Sequence, residues 1–252
     1  MKSTILSLSI LAGLVTTLVL KSQQPTEDFD PLGEVAEEDL PKVIRVHTEF
    51  IELPQATYTK LMSKPSTSAN DTQLREECAK LISKGEARML ESMCVTAFPG
   101  QSATSESIAE YIYPTEYNPG EFPTEINGEG VALDSPLGSP PNPTSFETKN
   151  TGSTLEVEAQ IDQNGSLVEL RFTPTLIYLE DMVNYGAEKI SGAAGPVLMP
   201  QFYVLSVKTG ATLVGGQPTM VSVLSPQNDK GFTDSSRKVM VFVRADILTV
   251  GK

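Results

Sequence analysis

The feature that most constrains the fold is the stretch STLEVEAQIDQNGSLVELRFTPTL, Ser153 to Leu176. Leu155, Val157, Ala159 and Ile161 alternate with Thr154, Glu156, Glu158 and Gln160. After Asp162-Gln163-Asn164-Gly165 the alternation resumes as Val168, Leu170 and Phe172 against Glu169, Arg171 and Thr173. A period of two puts every second side chain on one face of an extended strand, and Asn-Gly supplies the positive φ angles of a tight turn. The stretch therefore predicts a β-hairpin, apolar on one face and charged on the other, and such a ribbon buries its apolar face only against a second layer.

Other segments supply that layer. Between Lys42 and Leu53, Ile44, Val46 and Phe50 face one way while Arg45, His47 and Glu49 face the other, as in a half-buried strand. KVMVFVRADIL, Lys238 to Leu248, is apolar on both faces through Val243, which predicts a central strand. Further strands are expected at 86–98, 101–113, 201–209, 211–214 and 217–224. A helix is expected over 70–84, capped by Asn70 or Asp71, with Leu74, Cys78, Leu81 and Ile82 at helical spacing and Gly85 as its stop. A short helical turn is expected at 56–62. Pro114 to Pro143 carries seven prolines and four glycines, which predicts a long Pro-rich loop at 114–150. The expected fold class is mainly β: a two-sheet sandwich of immunoglobulin-like type with one or two N-terminal helices, forming a single β-rich domain over 42–252.

Ahead of it, MKSTILSLSILAGLVTTLVLKSQQP places one early lysine before an apolar run from Ile5 to Leu20, the pattern of a signal peptide or an uncleaved anchor over 1–22. It predicts export to a periplasmic, outer-membrane or surface location. Residues 23–41 are rich in acids and read as a solvated linker. The 19 basic and 32 acidic residues give a net charge of -13, which repels nucleic acid. In an exported chain the two cysteines, Cys78 and Cys94, either pair or remain buried free thiols, since each also falls on an apolar face. A closed loop of that length contributes about 3 kcal/mol.

Enzyme readings find little support. His47 is the chain's single histidine and lies on the polar face of its strand. It has no second histidine to share a metal or a proton relay. Ser102, Ser105 and Ser107 lack a base and a nucleophile elbow. Glu106, Glu110, Glu116 and Glu121 offer carboxylate pairs of the kind any acidic chain contains by chance, and no tryptophan is present as a sugar platform. Asp162, Asn164, Glu180 and Asp181 have calcium-type oxygens, but Asp162 and Asn164 are explained by the hairpin turn. No catalytic residue, cofactor, metal or small-molecule substrate is expected.

The order of the pieces resembles the C-terminal homology region of bacterial secretins, the channel proteins of type II and III secretion and type IV pilus systems. Four stretches carry the likeness: KGEARMLESMCVTAFPGQSA (Lys84 to Ala103), the hairpin Ser153 to Leu176, MPQFYVLSVKTGATLVGGQPTMVSVLSP (Met199 to Pro226), and RKVMVFVRADIL (Arg237 to Leu248). In secretins a Pro- and Gly-rich apolar segment builds the gate between the last two, whereas this chain has only SPQNDKGFTDSS, Ser225 to Ser236. The resemblance thus implies a gate-less accessory relative that is not itself a channel. It implies a non-enzymatic envelope component with protein partners in a secretin or pilus-like assembly, and homo-oligomers are compatible with it. A soluble carbohydrate- or ligand-binding sandwich is the alternative. Tyr111, Tyr113 and Tyr117, where the strand after Pro99-Gly100-Gln101 meets the Pro-rich segment, are the expected partner contacts, because tyrosines bring rings to bury and hydroxyls to bond.

Overall fold

The computed structural model describes residues 40–63, 68–120, 139–186, 196–228 and 231–250. The signal or anchor segment 1–22 and nearly all of the acidic linker lie outside the described residues. In chain order the elements are β1 (Lys42–Pro54), α1 (Gln55–Leu61), α2 (Thr72–Ser83), β2 (Arg88–Ala97), β3 (Ser102–Asn118), β4 (Asn142–Ile161), β5 (Leu167–Asn184), β6 (Leu198–Ser206), β7 (Thr209–Val214), β8 (Thr219–Leu224) and β9 (Arg237–Thr249). All belong to one compact unit, Pro41–Lys252.

The fold is mainly β, with two antiparallel sheets. One has the order β2-β1-β9-β8; the other has the order β3-β4-β5-β6, with β7 pairing the first half of β5. The alternating side chains of the predicted hairpin decide how they stack. Leu155, Val157 and Ala159 of β4 and Val168, Leu170 and Phe172 of β5 are buried against Ile44, Val46 and Phe50 of β1 and Val239, Val241 and Val243 of β9. Each fully buried aliphatic or aromatic side chain contributes about 1.5–3 kcal/mol, so this shared core is the main source of stability. The second sheet is a meander, and its strand order differs from the Greek-key arrangement of an immunoglobulin domain.

β9 is buried on both faces, as its sequence requires. Met240 and Phe242 face away from the sandwich and join Ile51, Leu53 and Cys78 in a second cluster, packed by Tyr58, Leu61, Leu74 and Ile82 of the helices. β1 serves both layers by alternation, with Ile44, Val46 and Phe50 in the sandwich core and Ile51 and Leu53 in the second cluster, while the β1–β2 ladder takes up one extra residue, Leu90 of β2. Arg75 of α2 holds Glu49 of β1 at 2.5 and 2.8 Å, and the Asp71 carboxylate accepts the Met220 N–H of β8 at 2.7 Å. The helices are thereby fixed across the first sheet.

Two turns carry the chain between sheets. In Phe98-Pro99-Gly100-Gln101, between β2 and β3, the Gln101 N–H donates to the Phe98 carbonyl at 3.1 Å and Gly100 has φ 77°. In Val214-Gly215-Gly216-Gln217, between β7 and β8, Gln217 donates to Val214 at 3.1 Å and Gly216 has φ 78°. A positive φ at the third position is what a type II turn demands, and this is why glycine recurs there.

The expected loop over 114–150 is shorter than predicted. β3 continues to Asn118 and β4 begins at Asn142, with Pro114 opposite Phe146 and Pro143 opposite Tyr117. β3 is an edge strand, and its register shifts on either side of Glu116. An edge and a bulge are the places where a strand tolerates a residue without an N–H.

Candidate partner-binding surface

β4 pairs β5 only from Gly152↔Ile177 to Ile161↔Val168. Beyond Gly152 the second sheet forks. One branch is β3 with the first half of β4, paired as far as Asn118↔Asn142; the other is the second half of β5 with β6, paired as far as Asn184↔Leu198. Gly152 sits at the fork with φ 116°, and a Cβ there would overlap the Ser107 carbonyl oxygen. Only glycine lets β4 leave β5 while staying bonded to β3.

The three tyrosines lie between the branches. Tyr111 packs edge-on against Phe202 of β6 with ring centroids 6.1 Å apart, and Tyr113 is tilted against the same ring at 5.6 Å. The Tyr111 hydroxyl meets Met182 Sδ at 3.1 Å, and Tyr117 donates to the Leu198 carbonyl at 2.9 Å. Tyr113 donates to Glu147 at 3.2 Å, and both burial and this acidic neighbour raise its pKa. Alternation puts Tyr111 and Tyr113 on one face of β3, and their contacts with Phe202, like the bond of Tyr117 to Leu198, turn toward the chain's own second branch. The opposite face carries Ile108, Ile112 and, from β4, Phe146, of which Ile112 is 66% exposed and Phe146 58%. Sequence reasoning expected the tyrosines to meet a partner and missed Phe202 and Met182, the residues of distant strands of the same chain that two of them, Tyr111 and Tyr113, touch here.

The cysteines do not pair in the structure: both are free, Cys78 buried and Cys94 exposed. Cys78 faces the second cluster, where burial pushes its thiol up to about 11. Cys94 points outward from β2 opposite His47 of β1, while its neighbours Met93 and Ala97 face the core. Cys94 is thus not on the apolar face that the sequence reading assigned it. Ser102, Ser105 and Ser107 are on β3 and His47 is on β1 of the other sheet, opposite Cys94. Asp162 accepts the N–H groups of Asn164, Ser166 and Leu167, and these bonds hold its carboxyl below the usual carboxylate range. Glu180 and Asp181 lie toward the opposite end of β5. Glu116 accepts from Ser145, Glu106 and Glu110 lie along β3, and Glu121 is outside the described residues.

At the root of the β5–β6 branch a cavity of about 450 Å³ opens between the sheets, lined among others by Glu52, Arg88, Tyr178, Tyr203, Gln227 and Arg237. Glu52, 6% exposed, is held by Arg88 at 2.9 Å and Arg237 at 2.5 Å. Arg237 also reaches Asp234 at 2.7 Å and the Gln227 carbonyl at 2.6 Å. Hydrogen bonds from Ser236 and Arg237 lower Asp234 to about 2. Burial raises Tyr178 to about 12, and Tyr203 donates to the Ser225 carbonyl at 2.7 Å. Ser225, Gln227 and Asp234 are thus tied back onto the sandwich, with Gln227 bridged to Thr233.

By architecture this is a two-sheet β protein with a forked second sheet and a cavity at the fork's root. No family model matches the chain, and no curated protein matches it significantly. Among solved structures it is similar to secretins, the family that the four quoted stretches resemble. The GspD secretin of ETEC, solved with its pilotin AspS, is 14% identical over 84% of this chain and 50% of that one, with a TM-score of 0.41. InvG of the Salmonella SPI-1 type III injectisome is 10% identical over 84% of this chain and 65% of that one (TM-score 0.38), and Aeromonas hydrophila ExeD is 14% identical over 83% and 49% (TM-score 0.38). The chain spans about half the length of the first of these.

Proposed function

We propose that the protein is a non-enzymatic, exported structural or accessory component of a secretin-based or pilus-like assembly in the cell envelope. Its partner joins along the outer edge of β3. The observation that carries the reading is that edge: β3 runs from Ser102 to Asn118, pairs only with β4 among the described strands, and is exposed over most of its length. A long unpaired edge is a template for another chain, and a solitary sandwich normally blunts it. Behind it, Tyr111, Tyr113 and Tyr117 hold the branch in shape, while Ile108 and Ile112 give its outer face apolar grip. In the sequence resemblance Ser225 to Ser236 falls where the family's gate segment would be, and Arg237, which follows it, is bound to Glu52 and Asp234. This supports an accessory role over a channel.

The test is recovery of partners from envelope fractions with the wild-type chain and with Ile112→Lys, which places a charge on the exposed face without touching the core. Secretin or pilus components should be captured by the wild type and lost with the variant. Capture of none, together with binding on a glycan array, would replace this reading with that of a carbohydrate-binding module.

A further inference from the structure

We propose that the cavity at the root of the fork binds the carboxylate-bearing end or side chain of an extended peptide, with Arg88 taking the carboxylate and Gln227 a peptide group. The inference stands apart from the envelope role. Its first support is Gln227: neither its side-chain oxygen nor its nitrogen has a hydrogen-bond partner, although both are buried. A carboxamide offers one acceptor beside two donors, which is the complement of a backbone peptide group, and an orphaned amide in a cavity wall gains most by finding one. The second is Arg88, whose side chain is 71% exposed and which spends one N–H on Glu52. Its remaining donors form the fork that binds a carboxylate in two-point fashion. Arg237, by contrast, already has each of its three nitrogens bonded, to Asp234, Glu52 and the Gln227 carbonyl.

The third is the shape. About 450 Å³ lies within the range of ligand pockets, and Leu90, Leu205 and the Tyr178 and Tyr203 rings give it apolar walls for one or two side chains. Backbone edges also flank it. β2 is an edge strand that starts at Arg88, and β5 past Ile177 has lost β4 as a neighbour, so a strand-like ligand meets unpaired main chain on both sides. Because both polar atoms of Gln227 are buried in the wall, its side chain must rotate toward this space when the peptide binds.

The experiment uses the ¹⁵N-labelled full-length chain and three synthetic probes: acetyl-Leu-Ala-Ala with a free carboxylate, the same peptide as its amide, and acetyl-Leu-Asp-Ala-amide. The Gln227 side-chain NH₂ signals, identified by their loss in Gln227→Met, should shift on titration. The two carboxylate probes should bind about 10-fold more tightly than the neutral one, a difference of about 1.4 kcal/mol. Comparison of the two separates a terminal from a side-chain carboxylate. Gln227→Met should weaken all three probes with an unchanged or raised melting temperature, and Arg88→Gln should remove only the carboxylate preference. Unmoved Gln227 signals at millimolar peptide, or undiminished binding by Gln227→Met, would overturn the proposal and leave the amide as a packing defect.

Discussion

Replacing Arg237 by leucine tests how the end of the sandwich is held. The guanidinium makes three contacts: Glu52 at 2.5 Å, Asp234 at 2.7 Å and the Gln227 carbonyl at 2.6 Å. Removing one partner of a buried ion pair costs about 3–5 kcal/mol, because the other charge is left uncompensated. Here Arg88 still holds Glu52 at 2.9 Å, and Arg237 itself is 37% exposed, so the expected loss is about half of that, near 2 kcal/mol. For a unit of this size the melting midpoint should fall by about 4–8 °C. Arg88→Leu, at a side chain 71% exposed, should cost less than about 1 kcal/mol. The double variant Glu52→Leu/Arg237→Leu should recover at least half of the Arg237→Leu loss, since neither charge is then stranded. Chemical and thermal unfolding followed by circular dichroism measures all three. Equal costs for Arg88→Leu and Arg237→Leu, or strict additivity in the double variant, would refute the account of Glu52 as a buried charge held chiefly by Arg237.

Gly152→Ala should destabilise by at least about 2 kcal/mol, combining a strained positive φ with the overlap at Ser107, and denaturant titration reads this directly. Asp234, lowered to about 2, contributes stability that is fully present above the ordinary carboxylate pKa of about 4 and is lost as pH falls through about 2. The stability gap between wild type and Asp234→Asn should therefore close over that window and stay constant above it. Native protein should take up one equivalent of a maleimide at Cys94, and a second only on unfolding, because Cys78 is buried with its thiol raised to about 11. Two rapid equivalents in the native state would contradict the packing of α2. Phe202→Ala removes the ring that Tyr111 and Tyr113 share and should cost about 1–3 kcal/mol beyond lost area; unchanged hydrogen exchange along β3 would count against the clasp.

What the sequence revealed was local. Period-two alternation around Asn164-Gly165 and the doubly apolar run Val239 to Val243 specify a hairpin and a central strand without reference to anything distant. The limits of the Pro-rich segment were hidden because Pro114 and Pro143 act as breakers in most settings, and their tolerance here depends on β3 being an edge and on β4 having no β5 partner ahead of Gly152. Glu52 looked like one more residue of an alternating strand, since Arg88 and Arg237 reach it only after β2 and β9 have docked on either side of β1. The outward direction of Cys94 was hidden for a related reason: only the pairing of β2 with β1, His47 opposite Cys94, decides which of its faces points inward. The tyrosine cluster was visible as composition, but its meeting with Phe202 required the fork at Gly152, which no spacing in the sequence announces.

The placing of the unit's two ends has a mechanical consequence. Val250 donates to the Pro41 carbonyl at 2.8 Å, and the ladder between β1 and β9 runs from Lys42↔Thr249 to Pro54↔Arg237. A pull that separates these neighbouring ends opens the ladder one rung after another, which needs little force. A pull from Pro41 toward the far end of the fork instead loads the same rungs together in shear, because β1 would have to slide lengthwise between β2 and β9. The fold is thus stiff along the axis from its leading end to its branches and yielding across its ends, so a tether at Pro41 can carry tension to whatever grips the branches.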